Sequence, residues 1–160
     1  MVGQGPVVQG IRRRTEVPFT GPMEDRNLIR ERMAAYSDSM FSADLEGWLS
    51  HFTDDVQWRF GTNSMNGREE LRASWPNLWD PLKAMGLFTE VTSIEVDGDR
   101  AKAKCYSRQI FFHKDGTVTK VVGLYRDVLV RQGDTWLFAE REFEALGSEP
   151  EGAVTTPSEA

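Results

Sequence analysis

The segment GLYRDVLVRQGDTW (residues 123–136) carries two groups that could do chemistry on one side of a predicted strand. Because side chains alternate along a strand, Tyr125, Asp127 and Leu129 share one face, and Arg126 lies on the other. A carboxyl among apolar neighbours is costly to bury unless it is protonated or paired with a cation. This face predicts either the wall of a pocket or a buried salt bridge, and the sequence leaves both open.

The last predicted strand, TWLFAEREFE, offers a partner for Asp127. If Leu137, Ala139 and Phe143 face inward, alternation takes Arg141 with them. A guanidinium inside a protein needs an anion, which would be Asp127 or the substrate. The same alternation turns an aromatic and acidic set outward, as suits a contact between subunits: Trp136, Phe138, Glu140 and Glu142.

Tyr36 is a further candidate, in the helix predicted over MEDRNLIRERMAAYSDSMFSAD. Ile29, Met33, Tyr36 and Met40 recur at the spacing of one helical face. A buried phenol requires a hydrogen-bond partner. Tyr36 is therefore expected to be either an aromatic residue of the core or a hydroxyl group in a cavity.

The strand CYSRQIFFH can follow two registers, and both bring polar and aromatic side chains inward. Regular alternation turns Gln109 and Phe111 inward together with Ser107. A β-bulge would bring in Arg108 and Tyr106 instead. Gln109, Phe111 and Arg108 are accordingly all candidates for substrate contact.

These groups are positioned by a chain that reads as helix, helix, strand, helix and four strands. Asp44 is placed to cap the short second helix, LEGWLSHF, and DVQWRF follows as a strand with Trp58 and Phe60 on one side. Asn66 is expected to begin the third helix, over NGREELRASWPNLWDPLKAMG, with Glu69 at the spacing of a capping box. Pro76 and Pro81 are expected to break or shorten that helix. Short turns are expected to join the last four strands: Asp97-Gly98, Asp115-Gly116 and Gly133-Asp134.

This order predicts an α+β fold, in which a curled, cone-shaped antiparallel sheet carries three helices on its concave face. Residues 23–146 form the predicted domain. Residues 1–22 are rich in glycine and proline and are expected to form a flexible arm. Residues 147–160 are polar, with prolines and glycines, and are expected to form a disordered tail.

Composition excludes several classes of function. The chain has 160 residues and a net charge of −6, which argues against a nucleic-acid-binding protein. It has no apolar run long enough to cross a membrane, and its first residues do not resemble a signal peptide. The single cysteine, Cys105, fits a reducing cytoplasm, where we expect the protein to act. His113 is expected at the surface and His51 at the surface or as a helix cap, and the two form no metal-ligand cluster with that cysteine.

The order of elements and three stretches resemble the SnoaL-like branch of the nuclear transport factor 2-like superfamily. The stretches are YSDSMFSADLEGWLSHFTDDVQW, IEVDGDRAKAKCY and GLYRDVLVRQGDTWLFAER. Members include ketosteroid isomerase, scytalone and bile-acid dehydratases, polyketide cyclases, diarylpropane formaldehyde lyases and non-catalytic domains. The resemblance implies an α+β barrel with an apolar cavity and chemistry that needs no cofactor. One fold hosts many functions, so the site must decide between them.

The resemblance also assigns roles to particular positions. Tyr36 matches the tyrosine that the isomerase and the dehydratases place in the cavity. Asp127 matches the carboxyl that completes the isomerase's oxyanion hole. In that well-known enzyme, the apolar site keeps this carboxyl protonated. Phe60 stands where the isomerase has its general base, and Leu87 where the dehydratases have a histidine.

The sequence therefore predicts a cofactor-free lyase that eliminates water or formaldehyde from a hydroxylated aromatic molecule, such as a lignin-derived compound. Tyr36, Asp127 and Arg141 are the predicted catalytic residues. Alternatives are a proton-transfer isomerase or cyclase and a non-catalytic binding or oligomerisation module. A homodimer or homotrimer is expected by resemblance, with neither nucleic acid nor membrane as a partner. The predicted substrate contacts are Trp58, Phe60, Tyr125, Arg108, Gln109, Phe111 and Trp79.

Overall fold

The computed structural model describes residues 18–149, in which three helices lie beside a seven-stranded mixed sheet. The helices are α1 (Met23–Phe41), α2 (Leu45–Leu49) and α3 (Arg68–Trp79). None of the helices in this range is both long and apolar enough to cross a membrane. The strands are β1 (Phe19–Thr20), β2 (Phe52–Phe60), β3 (Asn63–Asn66), β4 (Leu82–Asp97), β5 (Arg100–His113), β6 (Val118–Gln132) and β7 (Thr135–Glu149).

The sheet has the order β1-β4-β5-β6-β7-β2-β3. Strands β4 to β7 pair antiparallel in sequence, as predicted, although the first turn is Gly98-Asp99 rather than Asp97-Gly98. The expectation of a wholly antiparallel sheet is wrong, because β2 pairs parallel with β7 and β1 pairs parallel with β4. Neither of those pairs is joined by a tight turn, so chain connectivity does not impose an antiparallel direction on them.

Helix α1 places its predicted apolar face against β4 and β7. Ile29, Met33, Tyr36 and Met40 are all buried, which confirms the helical periodicity. The Asp44 carboxylate caps α2 by accepting a 2.9 Å hydrogen bond from a backbone N–H in its first turn, also as predicted.

The third helix begins after Gly67, one residue later than the capping box at Asn66 predicts. Glu70, rather than Glu69, reaches back, and its carboxylate accepts a 2.7 Å hydrogen bond from the Asn66 N–H. Asn66 itself ends β3, a strand that pairs with β2 in a short hairpin and was not expected. The extended backbone of this hairpin displaces the start of the helix.

Three elements extend beyond their predicted bounds. Strand β1 lies within the segment expected to be an arm and pairs with Ile94 and Glu95. Strand β4 begins at Leu82, inside the segment expected to be helical, because Pro81 disfavours continuation of α3. Strand β7 continues to Glu149, past residue 146, because β6 is long enough to pair with it there. The rest of the predicted arm and tail, residues 1–17 and 150–160, lies outside the described residues.

A β-bulge in β7 changes which of its side chains face the core. Asp127 pairs with Arg141 and Leu129 pairs with Phe138, so β7 carries one extra residue, Ala139, over this stretch. Phe138 is consequently fully buried, as is Trp136, and the expectation that both face outward is wrong. Arg141 still faces inward, because the bulge restores its register with Asp127.

Candidate functional site

A cavity of about 760 Å³ lies between the sheet and α3. Ligand pockets of small molecules span roughly 300–1,000 Å³, so the space is large enough for a polycyclic or diaryl compound. Side chains from α1, α2, β4, β5 and β6 form its buried end, and β3 and α3 form its mouth. Six residues predicted from the sequence line it: Tyr36, Trp58, Phe60, Gln109, Phe111 and Tyr125.

The sequence analysis missed much of the remaining wall. On α3 the lining residues recur at helical spacing, a signal that could have identified them: Glu70, Ala73, Ser74, Asn77 and Leu78. Strand β3 contributes three more, but its four residues carry no recognisable strand pattern: Asn63, Ser64 and Met65. Further members lie at long sequence separation and come together only in the fold: Met40, Trp48, Met85 and Phe143.

Two predicted substrate contacts do not reach the cavity. Arg108 lies exposed on the opposite face of the sheet, because β5 alternates regularly and pairs with β6 without a bulge. The prediction that Arg108 faces inward is therefore wrong. Trp79 is not part of the wall either; it packs against Trp75, with ring centroids 5.6 Å apart, and supports the wall from behind.

Asp127 and Arg141 form a buried ion pair behind the cavity wall. Arg141 Nε lies 3.3 Å from Asp127 Oδ1, and the two side chains are 1% and 0% exposed. Neither side chain lines the cavity, so the expectation that they touch a substrate directly is not met. The open alternative of a salt bridge is the one that the fold adopts, with Arg141 as the partner.

Aromatic rings separate the Arg141 guanidinium from the cavity. Its Cζ atom lies 4.0 Å from the ring centroid of Tyr125, 4.1 Å from that of Tyr36 and 4.4 Å from that of Phe138. A cation over an aromatic face is attracted by the ring quadrupole. The two tyrosines that line the cavity therefore share one buried positive charge beneath their rings.

Burial and the electrostatic interactions within this cluster shift the pKa values of Asp127, Arg141 and the two tyrosines. Burial raises the pKa of Asp127 to about 6, although Arg141 opposes the rise. Burial acts to lower the pKa of Arg141, but Asp127 and the two phenols outweigh it and raise that pKa. Burial also raises the pKa of Tyr36 and, more strongly, that of Tyr125, with Arg141 opposing both. At neutral pH both phenols are therefore protonated and can donate hydrogen bonds.

Gln109 orients one of these hydroxyls. Its Nε2 donates a 3.0 Å hydrogen bond to the Tyr125 hydroxyl oxygen. The Tyr125 oxygen accepts this bond, which leaves its own proton free to be donated elsewhere. Phe143 packs on the Tyr125 ring, with centroids 4.9 Å apart, and occupies the space that a side chain at Gly123 would need.

Ionised groups are scarce around the cavity. Of its lining residues that the structure describes, Glu70 at the mouth is the sole carboxylate, and none is histidine, aspartate, lysine or arginine. No group of three or more potential metal ligands occurs among residues 18–149. Phe60, which the resemblance matches to the isomerase's base, lines the cavity and is 37% exposed, while Leu87 is buried.

His51 is buried, although the sequence suggested a surface or cap residue. Its Nδ1 lies 2.9 Å from Arg32 Nη1, and its Nε2 lies 2.7 Å from the Ser39 hydroxyl. Because a guanidinium can only donate, Nδ1 accepts and the proton resides on Nε2. The His51 ring lies 6.1 Å from that of Tyr36, so this network anchors α1 directly behind the cavity tyrosine.

We expect His51 to make stability depend on pH. Burial, reinforced by Arg32, lowers the pKa of His51 from 6.5 to about 4. A base with a lowered pKa stabilises the fold above its unfolded value of 6.5, and that contribution is lost as the pH falls through about 4. When the pH of thermal unfolding scans is lowered from 6.5 to about 4, the melting temperature of the wild type should fall relative to that of His51→Gln, which cannot take up a proton. A difference in melting temperature that stays constant over this pH range would contradict the prediction. Protonation of Asp127 occurs in both proteins, so its effect cancels in the comparison.

Several solved structures share this fold, and their names refer to different enzyme activities. A candidate aromatic ring hydroxylase from Novosphingobium aromaticivorans is 23% identical, with a TM-score of 0.73 over 83% of this chain and 95% of its own. A candidate scytalone dehydratase from the same organism is 18% identical, with a TM-score of 0.73 over 78% and 85%. A hexachlorocyclohexane dehydrochlorinase from Novosphingobium barchaimii is 14% identical, with a TM-score of 0.71 over 81% and 90%.

These identities are low enough that the likenesses establish the fold and no more. No curated protein matches the chain significantly. The family model of the SnoaL-like domain, in contrast, matches residues 22–142, which include every helix and all the cavity residues named above except Phe143. The chain therefore belongs to the SnoaL-like domain family.

Proposed function

We propose that this protein is a cofactor-free lyase that eliminates water or formaldehyde from a hydroxylated aromatic small molecule. One observation carries the proposal: the closed end of an aromatic cavity presents two phenol donors, Tyr36 and Tyr125, above the buried cation of Arg141. Donors fixed in a dry site can stabilise charge that develops in a transition state. The dehydratase and dehydrochlorinase names of structural relatives support elimination as the reaction class.

The substrate enters past β3 and α3 and lies with its aromatic ring among Trp48, Trp58 and Trp75. These rings form a continuous cluster, since the Trp48 centroid lies 5.5 Å from that of Trp58 and 5.0 Å from that of Trp75. Offset and tilted aromatic contacts in such a cluster favour flat rings over sugars or phosphates. The part of the wall that the structure describes offers no cation in direct contact, which further disfavours a phosphorylated ligand.

For loss of water, the substrate's phenolic oxygen gives up its proton, and the electron pair moves through the ring to form a quinone methide. The carbon–oxygen bond at the side chain breaks, and the departing hydroxyl takes the Tyr36 proton to leave as water. The phenolic proton replaces the one that Tyr36 donated, so the protein ends unchanged. Loss of formaldehyde starts from that quinone methide: a CH2OH group on the neighbouring carbon gives up its hydroxyl proton, and its carbon–carbon bond breaks as formaldehyde leaves. The electron pair of that bond forms a side-chain double bond and restores the aromatic ring, and the phenolate oxygen takes up the proton.

In this mechanism Arg141 acts through the tyrosine rings rather than by touching the substrate. Its positive charge favours the transient negative charge on Tyr36 as the proton leaves. Asp127 is the counter-ion that allows the guanidinium to be buried. Of the catalytic residues predicted from the sequence, Tyr36 is therefore the general acid in our proposal, and Asp127 has an electrostatic role.

A second candidate, a non-catalytic binding module, is favoured by the absence of histidine and aspartate from the part of the cavity wall that the structure describes. A proton-transfer isomerase is less well supported, because it needs a base in contact with the substrate. Glu70 is the carboxylate of the described wall, and it lies at the mouth, where it already accepts a hydrogen bond from Asn66.

We would incubate the protein with phenolic diarylpropanediols, hydroxylated polyphenols and ketosteroids, and follow substrate and product by mass spectrometry. Ala73→Trp tests whether the cavity is the site of the reaction, because Ala73 is exposed on α3 and its side chain borders the mouth. A large ring there should block entry without disturbing the core, so it is expected to abolish turnover at an unchanged melting temperature.

Loss of water or formaldehyde from one compound class, abolished by Ala73→Trp, would support the lyase. A product of unchanged mass and altered absorbance would favour the isomerase instead. Tight binding of a compound that is never converted would favour the binding module. Turnover that persists at full rate in Ala73→Trp would show that the cavity is not the site.

A further inference from the structure

The indole N–H of Trp48 is a hydrogen-bond donor that is buried without an acceptor. Trp48 lies in α2 and is 1% exposed, and its Nε1 atom has no hydrogen-bond partner among the described residues. Leaving a buried donor unpaired costs stability, so such a group in a native protein calls for an explanation. Because Trp48 also lines the buried end of the cavity, its unpaired donor is a candidate for a role in the reaction.

Aromatic contacts fix the direction in which this donor points. The Trp48 ring packs edge-on against Phe52, with ring centroids 5.3 Å apart. Its centroid also lies 5.5 Å from that of Trp58 and 5.0 Å from that of Trp75. Close-packed side chains occupy one rotamer on average, so the indole is not free to turn toward an acceptor elsewhere. The orientation of the N–H bond is therefore set by the fold before any ligand enters.

The Tyr36 hydroxyl is the neighbour on which this N–H acts. Tyr36 packs edge-on against the same Phe52, with ring centroids 6.0 Å apart, and it lines the same end of the cavity. Burial raises the pKa of Tyr36, the charge of Arg141 lowers it, and hydrogen bonding from Trp48 lowers it as well. In the resting protein this interaction falls outside ordinary hydrogen-bond geometry, so it is a long contact with room to shorten.

The charged and titratable groups that face the Tyr36 hydroxyl lie on β6, on β7 and next to α2. On β7, Arg141 lies beneath the ring; on β6, Asp127 opposes its effect, and the Tyr125 hydroxyl lowers the pKa of Tyr36 by hydrogen bonding. His51, after α2, lies 6.1 Å from the tyrosine, ring to ring, and is the neutral tautomer described above. A neutral donor aimed at the oxygen itself therefore adds to a charge that acts from below the ring.

We propose that the Trp48 indole N–H is held in place for the negative charge that the Tyr36 oxygen carries after Tyr36 has given up its proton. The inference rests on the proposed function, in which Tyr36 is the general acid. As the proton leaves, the oxygen becomes a charged acceptor and draws the N–H into a full hydrogen bond, and when the proton returns the contact lengthens again. Hydrogen bonds in catalysis are often long in the resting protein and tighten as charge develops. Trp48 is thus a positioning residue that acts through Tyr36.

Trp58 provides a matched comparison from the same cavity wall. Its ring packs on Phe52 with centroids 6.1 Å apart, and its Nε1 atom is also buried and unpaired among the described residues. It is not one of the groups that mainly shift the pKa of Tyr36. Trp58→Phe therefore removes an equivalent ring and an equivalent donor from the wall, and the Tyr36 hydroxyl keeps its own neighbours.

The test measures the ionisation of residue 36 directly and requires no substrate. The three tyrosines would be replaced by 3,5-difluorotyrosine, which ionises at a lower pH than tyrosine, and each signal would be followed by fluorine NMR through a pH titration. The signals are assigned with single Tyr→Phe variants, and the signal of Tyr106, which is exposed on the other face of the sheet, serves as the internal reference. The labelled wild type is compared with labelled Trp48→Phe and Trp58→Phe.

In Trp48→Phe the ionisation constant of residue 36 should fall by about tenfold or more, because the phenolate loses a charge-assisted hydrogen bond. In Trp58→Phe it should keep its wild-type value. The direction of the change is informative, since water that entered the space left by a smaller ring would favour the phenolate and raise the ionisation constant instead. If Trp48→Phe does not fold, β-(3-benzothienyl)alanine at position 48 keeps the shape of the ring and replaces the N–H by sulfur, and the same fall is expected.

An ionisation constant that is unchanged or higher in the folded position-48 variant would overturn the proposal. An equal fall in Trp58→Phe would overturn it too, because the effect would then belong to the packing of the cavity wall and not to the Trp48 N–H. The titration decides this even for a protein that converts none of the tested compounds. Failure of the proposed lyase reaction would be seen separately, in the mass-spectrometric assay.

Discussion

Tyr36→Phe is expected to lower kcat/KM for the converted substrate by about 10²–10³-fold, the usual cost of removing one preorganised donor. Tyr36 is the residue of α1 whose ring both lines the cavity and lies 4.1 Å from the Arg141 guanidinium. Phenylalanine keeps the ring and its contacts with Phe52 and Phe138 but removes the transferable proton. The loss should therefore fall on kcat rather than on KM.

Stability should change little in this variant, because a single hydroxyl contributes about 1 kcal/mol. Tyr106→Phe removes the same group from the opposite face of the sheet and is the matched control, with turnover expected to stay at the wild-type level. Kinetics and thermal unfolding would be measured side by side on all three proteins. Full turnover by Tyr36→Phe would exclude Tyr36 as the proton donor, even if the lyase activity itself were established.

Asp127→Asn is expected to destabilise the fold by about 3–5 kcal/mol at neutral pH, and more than Arg141→Met does. Each change removes one partner of a fully buried ion pair. The two differ because a carboxyl left alone can take up a proton, whereas a guanidinium stays charged at any pH that the protein tolerates. Replacing both, as Asp127→Asn with Arg141→Met, should cost less than Asp127→Asn alone.

The two single variants should also differ in how their stability depends on pH. The folded pKa of Asp127, about 6, lies above its ordinary value of 3.8. Its protonated form is therefore favoured by folding, and that contribution to stability is complete below about 3.8 and lost as the pH rises through 6. Without Arg141 to oppose the rise, the carboxyl of Arg141→Met should gain more from acid than that of the wild type.

Urea unfolding at pH 7 and at about pH 5 would measure this. The gap between Arg141→Met and the wild type should narrow at the lower pH, while the gap for Asp127→Asn should not. Equal penalties for the two single variants at both pH values would mean that the pair does not carry the buried charge as described.

The sequence alone was sufficient for features that depend on local periodicity. The helical repeat of Ile29, Met33 and Tyr36 put the phenol on the buried face, and regular alternation put Tyr125 and Asp127 on the same side of β6. Turn chemistry fixed the order of the four antiparallel strands. Each of these follows from the geometry of one helix, strand or hairpin, which neighbouring residues determine.

What the tertiary structure alone decided depends on register between distant segments. The bulge at Ala139 brought Phe138 into the core and aligned Arg141 with Asp127. No local sequence pattern in β7 predicts this bulge. The parallel pairing of β2 with β7 joins segments about 80 residues apart in sequence, and it places Trp58 and Phe60 of β2 on the cavity wall. The same packing set the cation behind the tyrosines rather than in the pocket, because rings from three separate elements reach it first.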